Sequence, residues 1–308
     1  MSNVCLVLGG AGFIGSHIAD IMVRNGYAVR VFDRVNALPS YLQQGKIELV
    51  QGDYFDFPDW DPILKDVDYI FHTLSTTIPS TSDKDPGYDI QTNVIGNVRF
   101  LNEAVKHKIK KFIFSSSGGT IYGHKPVPIA ETSATDPICP YAISKLSIEK
   151  YLHYFNYHYG LDYVCLRYSN IYGMGQDPKS MLGAVTIFME LIMRGEPITV
   201  FGDGNIIRDY IHIDDVTRAN LLILRNRTDN RIYNIGTGIG TSINELISLI
   251  SQVTGLKARV NYVAARRTDV PSNVLDISRI KNDAGWVPEI TLKEGIARLW
   301  KNRRERTP

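Results

Sequence analysis

The sequence predicts an α/β fold, a doubly wound parallel sheet joined to a smaller α/β C-terminal domain. Three features carry that expectation. Short apolar runs of strand length alternate with longer stretches at helical period, as in a parallel sheet wound through crossover helices. The first run, Val4-Cys5-Leu6-Val7-Leu8, passes directly into Gly9-Gly10-Ala11-Gly12-Phe13-Ile14-Gly15 and then a helical stretch at 16–25. Strand, glycine loop and helix in that order aim backbone N–H groups and a helix N-terminus at a diphosphate. Later strand-like runs end in polar residues, Asp33, Asp53 and Ser115 among them, at the carboxyl edge where such sheets bind ligands.

At 308 residues the chain suits one large domain or two closely joined ones, with ample core. Hydrophobic residues make up 44%, a globular value that argues against disorder. Lys plus Arg number 34 against 32 Asp plus Glu, a balance that argues against nucleic acid or an anionic membrane as partner. Any anion site must come from local placement. Cys5, Cys139 and Cys165 lack metal-ligand spacing and cannot all pair, which fits a reducing cytoplasm. The apolar run at 4–8 is too short for a signal segment, and no stretch approaches a membrane span.

A second strand is expected at 28–32, ending in Asp33. A carboxylate there can take ribose hydroxyls and repel a 2′-phosphate, favouring NAD over NADP. Arg34 pulls the other way, since a guanidinium accepts a phosphate. A third strand at 47–53 ends in Asp53, a turn residue that can also bond an adenine amine. The fourth, at 68–72, ends in His72, read as structural, and 73–77 would lie beside the cofactor. A long helix over 89–106 carries Asn93, with Val94, Val98, Leu101 and Val105 as its apolar positions. The fifth strand, 110–114, runs into Ser115-Ser116-Ser117-Gly118-Gly119-Thr120-Ile121-Tyr122-Gly123. Serines there can close a turn or, beside a reactive tyrosine, bond the reacting oxygen. No Gly-x-Ser-x-Gly elbow surrounds them, so a Ser-His-Asp hydrolase is not indicated.

Pro140 suits the first turn of a helix over 141–159. Tyr141 and Lys145, four residues apart, share a face of it. A free tyrosine titrates near ~10. An ammonium beside it should lower that value and make the pair a base and acid for an alcohol or carbonyl. Such pairs also decorate helix surfaces; the glycine loop and the serine run favour chemistry here. A sixth strand follows at 162–167.

In the second half, 181–194 reads as an amphipathic helix, 197–201 as a short strand and 208–213 as another. His212 and Asp215 resemble a metal pair, but no third ligand is evident, and Asp214-Asp215 reads as a helix start. Metal is not expected. Ser242 and Glu245 read as a capping box, which argues against a second nucleotide loop at 236–238. Helices are expected at 275–285 and 292–300, and 303–308 as a frayed polar tail.

The segments GGAGFIG at 9–15, the serines at 115–117, YAISK at 141–145, RYSNIYG at 167–173, FGDG at 201–204 and RDYIHIDD at 208–215 make the chain resemble the extended short-chain dehydrogenase/reductase family. Within it, the chain is most similar to the UDP-glucose 4-epimerase branch, over nearly its whole length. The resemblance implies a Rossmann-type NAD-binding domain over 1–172 and a sugar-nucleotide domain over 173–308, with some segments returning to the first. It implies NAD held by Gly9, Gly12, Phe13, Ile14, Gly15, Asp33, Arg34, Asp53, Tyr54, Leu74, Asn93, Tyr141, Lys145 and Tyr168. It implies Ser117, Tyr141 and Lys145 as the catalytic set. A UDP-sugar would be held by Ser117, Tyr141, Asn170, Thr199, Phe201, Arg208, Arg266, Asp269 and Asn273. Of these, Phe201 would face uracil, Arg208 and Arg266 the diphosphate, Asp269 the ribose, and Asn273 would limit sugar size. The implied reaction is inversion at C4 of a UDP-hexose through a 4-keto sugar, in a homodimer joined through the helices at 89–106 and 141–159.

The chain departs from the family pattern in places. Leu8 precedes the glycines where threonine is frequent, and Thr268 replaces the glycine of an Arg-x-Gly-Asp loop. An added glycine before Tyr122 puts Gly118 at the usual serine position, so Ser117 is preferred and Ser116 stays open. Gly118, Gly119 and Thr120 stand where dehydratases and decarboxylases carry an acid, so elimination of water lacks its usual proton shuttle. Two alternatives stand beside C4 inversion. One is another nucleotide-sugar reaction of the family: reduction, decarboxylation, dehydration, or epimerisation of an N-acetylhexosamine or uronic acid. The other is a redox-sensing binding module without turnover, against which an intact Ser-Tyr-Lys set argues.

Overall fold

The computed structural model describes residues 3–42, 47–180, 182–266 and 269–306. The chain divides into two compact units. The first comprises Met1–Ile121, Pro137–Arg167 and Thr217–Tyr233; the second comprises Tyr122–Asp136, Tyr168–Val216 and Asn234–Pro308.

In the first unit β1 (Val4–Leu8) leads through the glycine loop into α1 (Phe13–Arg24), then β2 (Ala28–Asp33) and β3 (Ile47–Gln51). A single turn, α2 (Asp61–Leu64), precedes β4 (Tyr69–His72). Next come α3 (Pro79–Ser82), α4 (Pro86–Asp89), a π-helical stretch (Ile90–Ile95) and α5 (Gly96–Ala104), then β5 (Lys111–Ser117), α6 (Pro140–Tyr159) and β6 (Tyr163–Tyr168). The chain continues through β7 (Asn170–Tyr172), α7 (Ala184–Arg194), β8 (Pro197–Phe201), β9 (Ile207–His212), α8 (Ile213–Arg225), β10 (Ile232–Ile235) and β11 (Gly240–Ser242). It ends with α9 (Ile243–Thr254), β12 (Arg259–Val263), β13 (Ser272–Asn273), α10 (Ser278–Ala284) and α11 (Leu292–Arg306).

The large sheet has seven strands in the order β3-β2-β1-β4-β5-β6-β10. The pairs β2–β3, β1–β2, β1–β4 and β4–β5 are parallel. Cys5, Leu6, Val7 and Leu8 are wholly buried, as a strand covered on both faces requires. Strand order turns back at β1, which places a ligand crevice at the carboxyl ends of β1 and β4. Leu6, Leu8, Phe112 and Phe114 of the sheet pack with Phe100 and Leu101 of α5 and Ile148, Leu152 and Phe155 of α6.

The helix expected over 89–106 starts earlier and is not regular. Asp85 caps it, its carboxylate accepting from Tyr88 N at 2.8 Å, and Pro86 occupies the first turn. Across Ile90–Ile95 the helix widens to i→i+5 bonding, a form often found at functional sites. Asn93 and Asn97 bond back four residues there, to the Asp89 carboxylate and the Asn93 carbonyl.

Other boundaries also move. The serine run belongs to β5 itself, and β3 ends before Asp53. The helix expected from 181 begins at Ala184, while Met181 lies outside the described residues. The one expected from 275 begins at Ser278, because Leu275 pairs with Ile129 as an isolated bridge. The frayed tail is corrected: α11 runs through Arg306, with Arg303 bonded to Glu190 at 2.5 Å.

The second unit has its own core. Val185, Met189 and Ile192 of α7, Leu246, Ile247 and Ile250 of α9, and Ile296 and Leu299 of α11 pack together. Its small sheet has β9 between β11 and β13, with β7 also on β9, and β8 pairs with β12 separately. The buried Asp209 carboxylate accepts from Thr237 N, Thr237 Oγ1 and Gly238 N at 2.7–3.1 Å, tying the glycine turn to β9. Ser242 and Glu245 form the expected capping box. Among the described residues no helix is long and apolar enough to cross a membrane.

Candidate active site

Gly9 has a φ of +75°, and a Cβ there would sit 3.0 Å from the Leu74 backbone. A Cβ at Gly15 would lie 2.2 Å from the Gly9 carbonyl oxygen, so β1 and α1 approach closer than a side chain allows. Gly12 starts α1 without a side-chain cap, and the first turn, Phe13 and Ile14 included, has no acid. Its N–H groups are thereby open to an anion. A cavity of about 500 Å³ adjoins the loop, lined by Gly9, Gly12, Asp33, Arg34, Asp53, Tyr54 and Leu74 among others. Asp33 is pinned to the loop, its Oδ2 accepting from Ala11 N at 3.0 Å and its Oδ1 from Arg34 N at 2.8 Å. Asp53 accepts from Phe55 N at 3.0 Å. Tyr54 is largely core, its hydroxyl between Asn97 Oδ1 and His72 Nε2, both at 3.3 Å. His72 is pushed down to about 3 by burial, with the Lys145 charge adding, and stays neutral. A strand, a glycine cradle, an open helix end and a pinned acid fit a dinucleotide.

Tyr141 and Lys145 stand on one face of α6, the ammonium 5.7 Å from the Tyr141 ring centroid and 4.8 Å from that of Phe114. Lys145 Nζ donates to Ser115 O at 3.0 Å. The Ser117 hydroxyl is hydrogen-bonded to Tyr141 and accepts from Thr120 Oγ1 at 2.9 Å. Ser116 Oγ donates instead to Glu149 Oε1 at 2.6 Å. The two serines left open by the sequence thus have different partners, as alternation along a strand requires.

The expected lowering of the Tyr141 pKa is overturned. Burial pushes it up, Cys139 and Asp89 add to that, and the Ser117 bond only partly offsets them. Lys145 is pushed down to about 8 by burial, against the carboxylates of Asp89 and Glu149. At neutral pH the pair is a phenol beside a charged ammonium.

In the second unit Tyr168 is buried at the end of β6, and Asn170 Nδ2 donates to Asp209 O at 3.1 Å. Thr199 is exposed on β8 between buried Ile198 and Val200. The Arg266 guanidinium lies over the Phe201 ring, 3.4 Å from its centroid, and covers one of the two faces a base could use. Arg208 Nη1 donates to Ile207 O at 2.9 Å and Val270 O at 2.7 Å, and burial lowers its pKa. Asp269 N donates to Arg266 O at 3.4 Å, while Arg267 and Thr268 lie outside the described residues. Asn273 pairs with Arg208 in the sheet and is 1% exposed, so a limit on sugar size here would act through packing and not an open face. His212 Nδ1 accepts from Asp214 N, and the Asp215 carboxylate accepts from Glu289 N and Ile290 N. Among the described residues no three His, Cys, Asp or Glu gather as a metal site.

Sequence reasoning missed two buried acids. Asp89 is wholly buried and accepts from Ser144 Oγ, Thr77 Oγ1 and, at 3.1 Å, Asn93 Nδ2. Asn93 Oδ1 takes Thr76 N at 3.0 Å, so Asn93 braces the 73–77 loop. Glu149 is held by Arg167, Nη2 to Oε2 at 2.6 Å and Nε to Oε1 at 3.0 Å, with both side chains buried. The available signal was spacing: Asp89 stands four before Asn93, and Glu149 four after Lys145.

Comparison with known proteins agrees with this architecture. The model of the NAD dependent epimerase/dehydratase family matches residues 5–236. A putative UDP-glucose 4-epimerase of Methanocaldococcus jannaschii is 39% identical over 98% of this chain and 99% of its own length. The structure of UDP-glucose 4-epimerase from Thermotoga maritima, with UDP-glucose, matches at TM-score 0.93 and 40% identity, over 98% of this chain and 99% of that one. UDP-glucose 4-epimerase of Thermus thermophilus, in complex with NAD, matches at TM-score 0.91 and 32% identity, over 99% and 100%. With the family model spanning well over half of the sequence and relatives alike from end to end, the chain belongs to the NAD dependent epimerase/dehydratase family.

Proposed function

We propose that this protein is an NAD-dependent nucleotide-sugar epimerase that inverts C4 of a UDP-hexose of the UDP-glucose/UDP-galactose type. The observation that carries the reading is the Ser117–Tyr141–Lys145 arrangement followed by Gly118, Gly119 and Thr120 in place of an acid. Tyr141 exchanges a proton with the 4-hydroxyl, and Ser117 bonds the same oxygen. The charge on Lys145 supports the phenolate as it forms. NAD, when bound, supplies acceptance and return of a hydride, so no net reduced cofactor accumulates.

The first unit is the proposed NAD domain. Gly9, Gly12, Phe13, Ile14 and Gly15 are assigned to the diphosphate, Asp33 and Arg34 to the ribose, Asp53 to the adenine, and Tyr54 and Leu74 to the walls; Tyr168, expected among the cofactor residues, belongs to the second unit. Asn93 acts through the loop it braces. The second unit is proposed to hold the sugar nucleotide through Asn170, Thr199, Phe201, Arg208, Arg266, Asp269 and Asn273. We assign a homodimer through the outward faces of α4–α5 and α6, where Ile90, Ile95, Ile143, Tyr151 and Tyr154 are exposed. The setting is the cytoplasm, where the free thiols Cys5, Cys139 and Cys165 stay reduced.

The test is incubation of the purified protein with a panel of UDP, GDP and dTDP sugars, products identified by NMR. The expected result is the C4 epimer of UDP-glucose with no rise in NADH absorbance. A dehydrated or decarboxylated product would overturn the reading. Ser117→Ala is expected to slow turnover by about 10²-fold or more, the scale of positioned proton transfer, and Ser116→Ala by much less. The reverse order would transfer the catalytic role to Ser116.

Arg208→Ala is expected to weaken UDP itself by roughly ten- to a hundredfold, because a charge-assisted bond to the shared diphosphate is lost. Calorimetry with UDP reads it directly. An unchanged affinity would remove Arg208 from the diphosphate site.

A further inference from the structure

The cavity beside the glycine loop has three aromatic residues in its wall, Tyr54, Phe55 and Tyr88, and they differ in what their rings already touch. Tyr54 packs on Trp60, His72 and Phe100, and the Arg99 guanidinium covers the Phe55 ring, 4.9 Å from its centroid. Tyr88 is 46% exposed, and among the described residues its ring and hydroxyl make no ring contact and no hydrogen bond. A singly exposed aromatic is ordinary on a protein surface. This one stands apart because its backbone is fixed on both sides. Tyr88 N donates to the Asp85 carboxylate at 2.8 Å, and Tyr88 O accepts from Thr92 Oγ1 at 2.8 Å. Tyr88 and Thr92, four residues apart, both line the cavity. Ile90, two residues on, belongs to another face of the helix, so Tyr88 stands off the apolar face assigned above to a second copy.

We propose that Tyr88 is a further cofactor-binding residue, whose ring stacks on the adenine of NAD at the mouth of this cavity. This role rests on the reading above, with NAD as the cofactor of the family. Position selects the adenosine end. The wall combines the glycine loop, Asp33 at the end of β2 and Asp53 beyond β3, while Ser117, Tyr141 and Lys145 are not among its residues. The reacting ring belongs beside those three, which leaves this cavity to the other end of the dinucleotide. Asp53 and Asp56 are exposed carboxylates in the same wall, and carboxylates accept hydrogen bonds, which suits the exocyclic amine of adenine. Val35, 41% exposed, is the other exposed large apolar side chain lining the cavity, so the base meets an aliphatic surface as well as a ring. A purine placed there exchanges water for an aromatic face that no ring or hydrogen bond of the described residues engages.

The test is calorimetry of the full chain, freed of bound cofactor, with NAD, AMP and nicotinamide mononucleotide. Tyr88→Ala is expected to weaken NAD and AMP by roughly ten- to a hundredfold, the scale of base–aromatic stacking, and to leave nicotinamide mononucleotide unchanged. Tyr88→Phe, which keeps the ring, should restore both affinities. The melting temperature without ligand should stay the same, because the hydrogen bonds at Tyr88 use its backbone alone. NMR of bound AMP gives a second readout. Its adenine H2 and H8 resonances should move upfield under the ring current in the unmodified protein and in Tyr88→Phe, and not in Tyr88→Ala. Unchanged AMP affinity in Tyr88→Ala overturns the proposal, and so does an equal loss for both halves of the cofactor. A Tyr88→Phe chain that loses as much as Tyr88→Ala also overturns it, by assigning the effect to the hydroxyl. A Tyr88→Ala chain that binds AMP normally but sediments as a smaller species would place the residue in the contact between copies instead. Failure of the unmodified protein to bind NAD would overturn the epimerase reading and this role together, a result distinct from failure of the Tyr88 variants alone.

Discussion

Tyr141→Phe is expected to reduce turnover by roughly 10²- to 10⁴-fold, the range that removal of a positioned acid–base group produces. The fold and the bound NAD should survive. The ring still packs on α6, and what is lost is one hydrogen bond to Ser117. Such bonds contribute on the order of 1 kcal/mol, so stability should barely change. The direction follows from the resting state of the pair. Burial keeps Tyr141 a phenol, and the hydroxyl is therefore a proton carrier held in reserve beside an ammonium whose own pKa is about 8. Phenylalanine keeps the shape and leaves nothing to carry the proton. The measurement is turnover of UDP-glucose by NMR, with cofactor content and melting temperature measured on the same sample. Near-normal epimerisation by the variant would take Tyr141 out of the mechanism.

The parts of this site that were legible in the sequence are those fixed by local spacing. Tyr141 and Lys145 are one helical turn apart, and the glycine loop lies between an apolar strand and a helix, so both can be recognised within a few residues. The strand runs were legible because a strand buried on both faces is continuously apolar. What was not legible depends on partners far along the chain. Ser116 and Glu149 are 33 residues apart, and Ser144 and Asp89 are 55 apart. Only those contacts separate Ser116 from Ser117, and no count back from Tyr122 could have done so. The Tyr141 pKa was misread for the same reason: the ammonium is a local feature, while the burial that outweighs it is tertiary. The early start of α4 is different. Its signal, Asp85 followed by Pro86, was present but outweighed by the apolar period that begins after it. The contact of Arg266 with Phe201 joins two positions that sequence motifs assign to separate parts of a ligand.

The largest stability effect is expected at the Glu149–Arg167 pair. Both side chains are buried, at 2% and 4% exposure, and Arg167 grips both carboxylate oxygens. Removing one partner leaves an uncompensated charge in the core, which costs about 3–5 kcal/mol. Arg167→Met should therefore lower the melting temperature by on the order of 10 °C. The double variant Glu149→Leu with Arg167→Met removes both charges and is expected to recover most of that loss, because a buried ion pair and an apolar pair of similar volume are often close in stability. Turnover should not recover in step. Glu149 also accepts the Ser116 hydroxyl at 2.6 Å, and this bond anchors the end of β5 where Ser117 faces Tyr141. With leucine at 149 that anchor is gone even when the fold is restored. Thermal unfolding and kcat for the two variants separate these effects. Equal recovery of stability and turnover would show that the pair serves the core alone. An Arg167→Met protein that melts like the unmodified one would show that the pair does not stabilise the core.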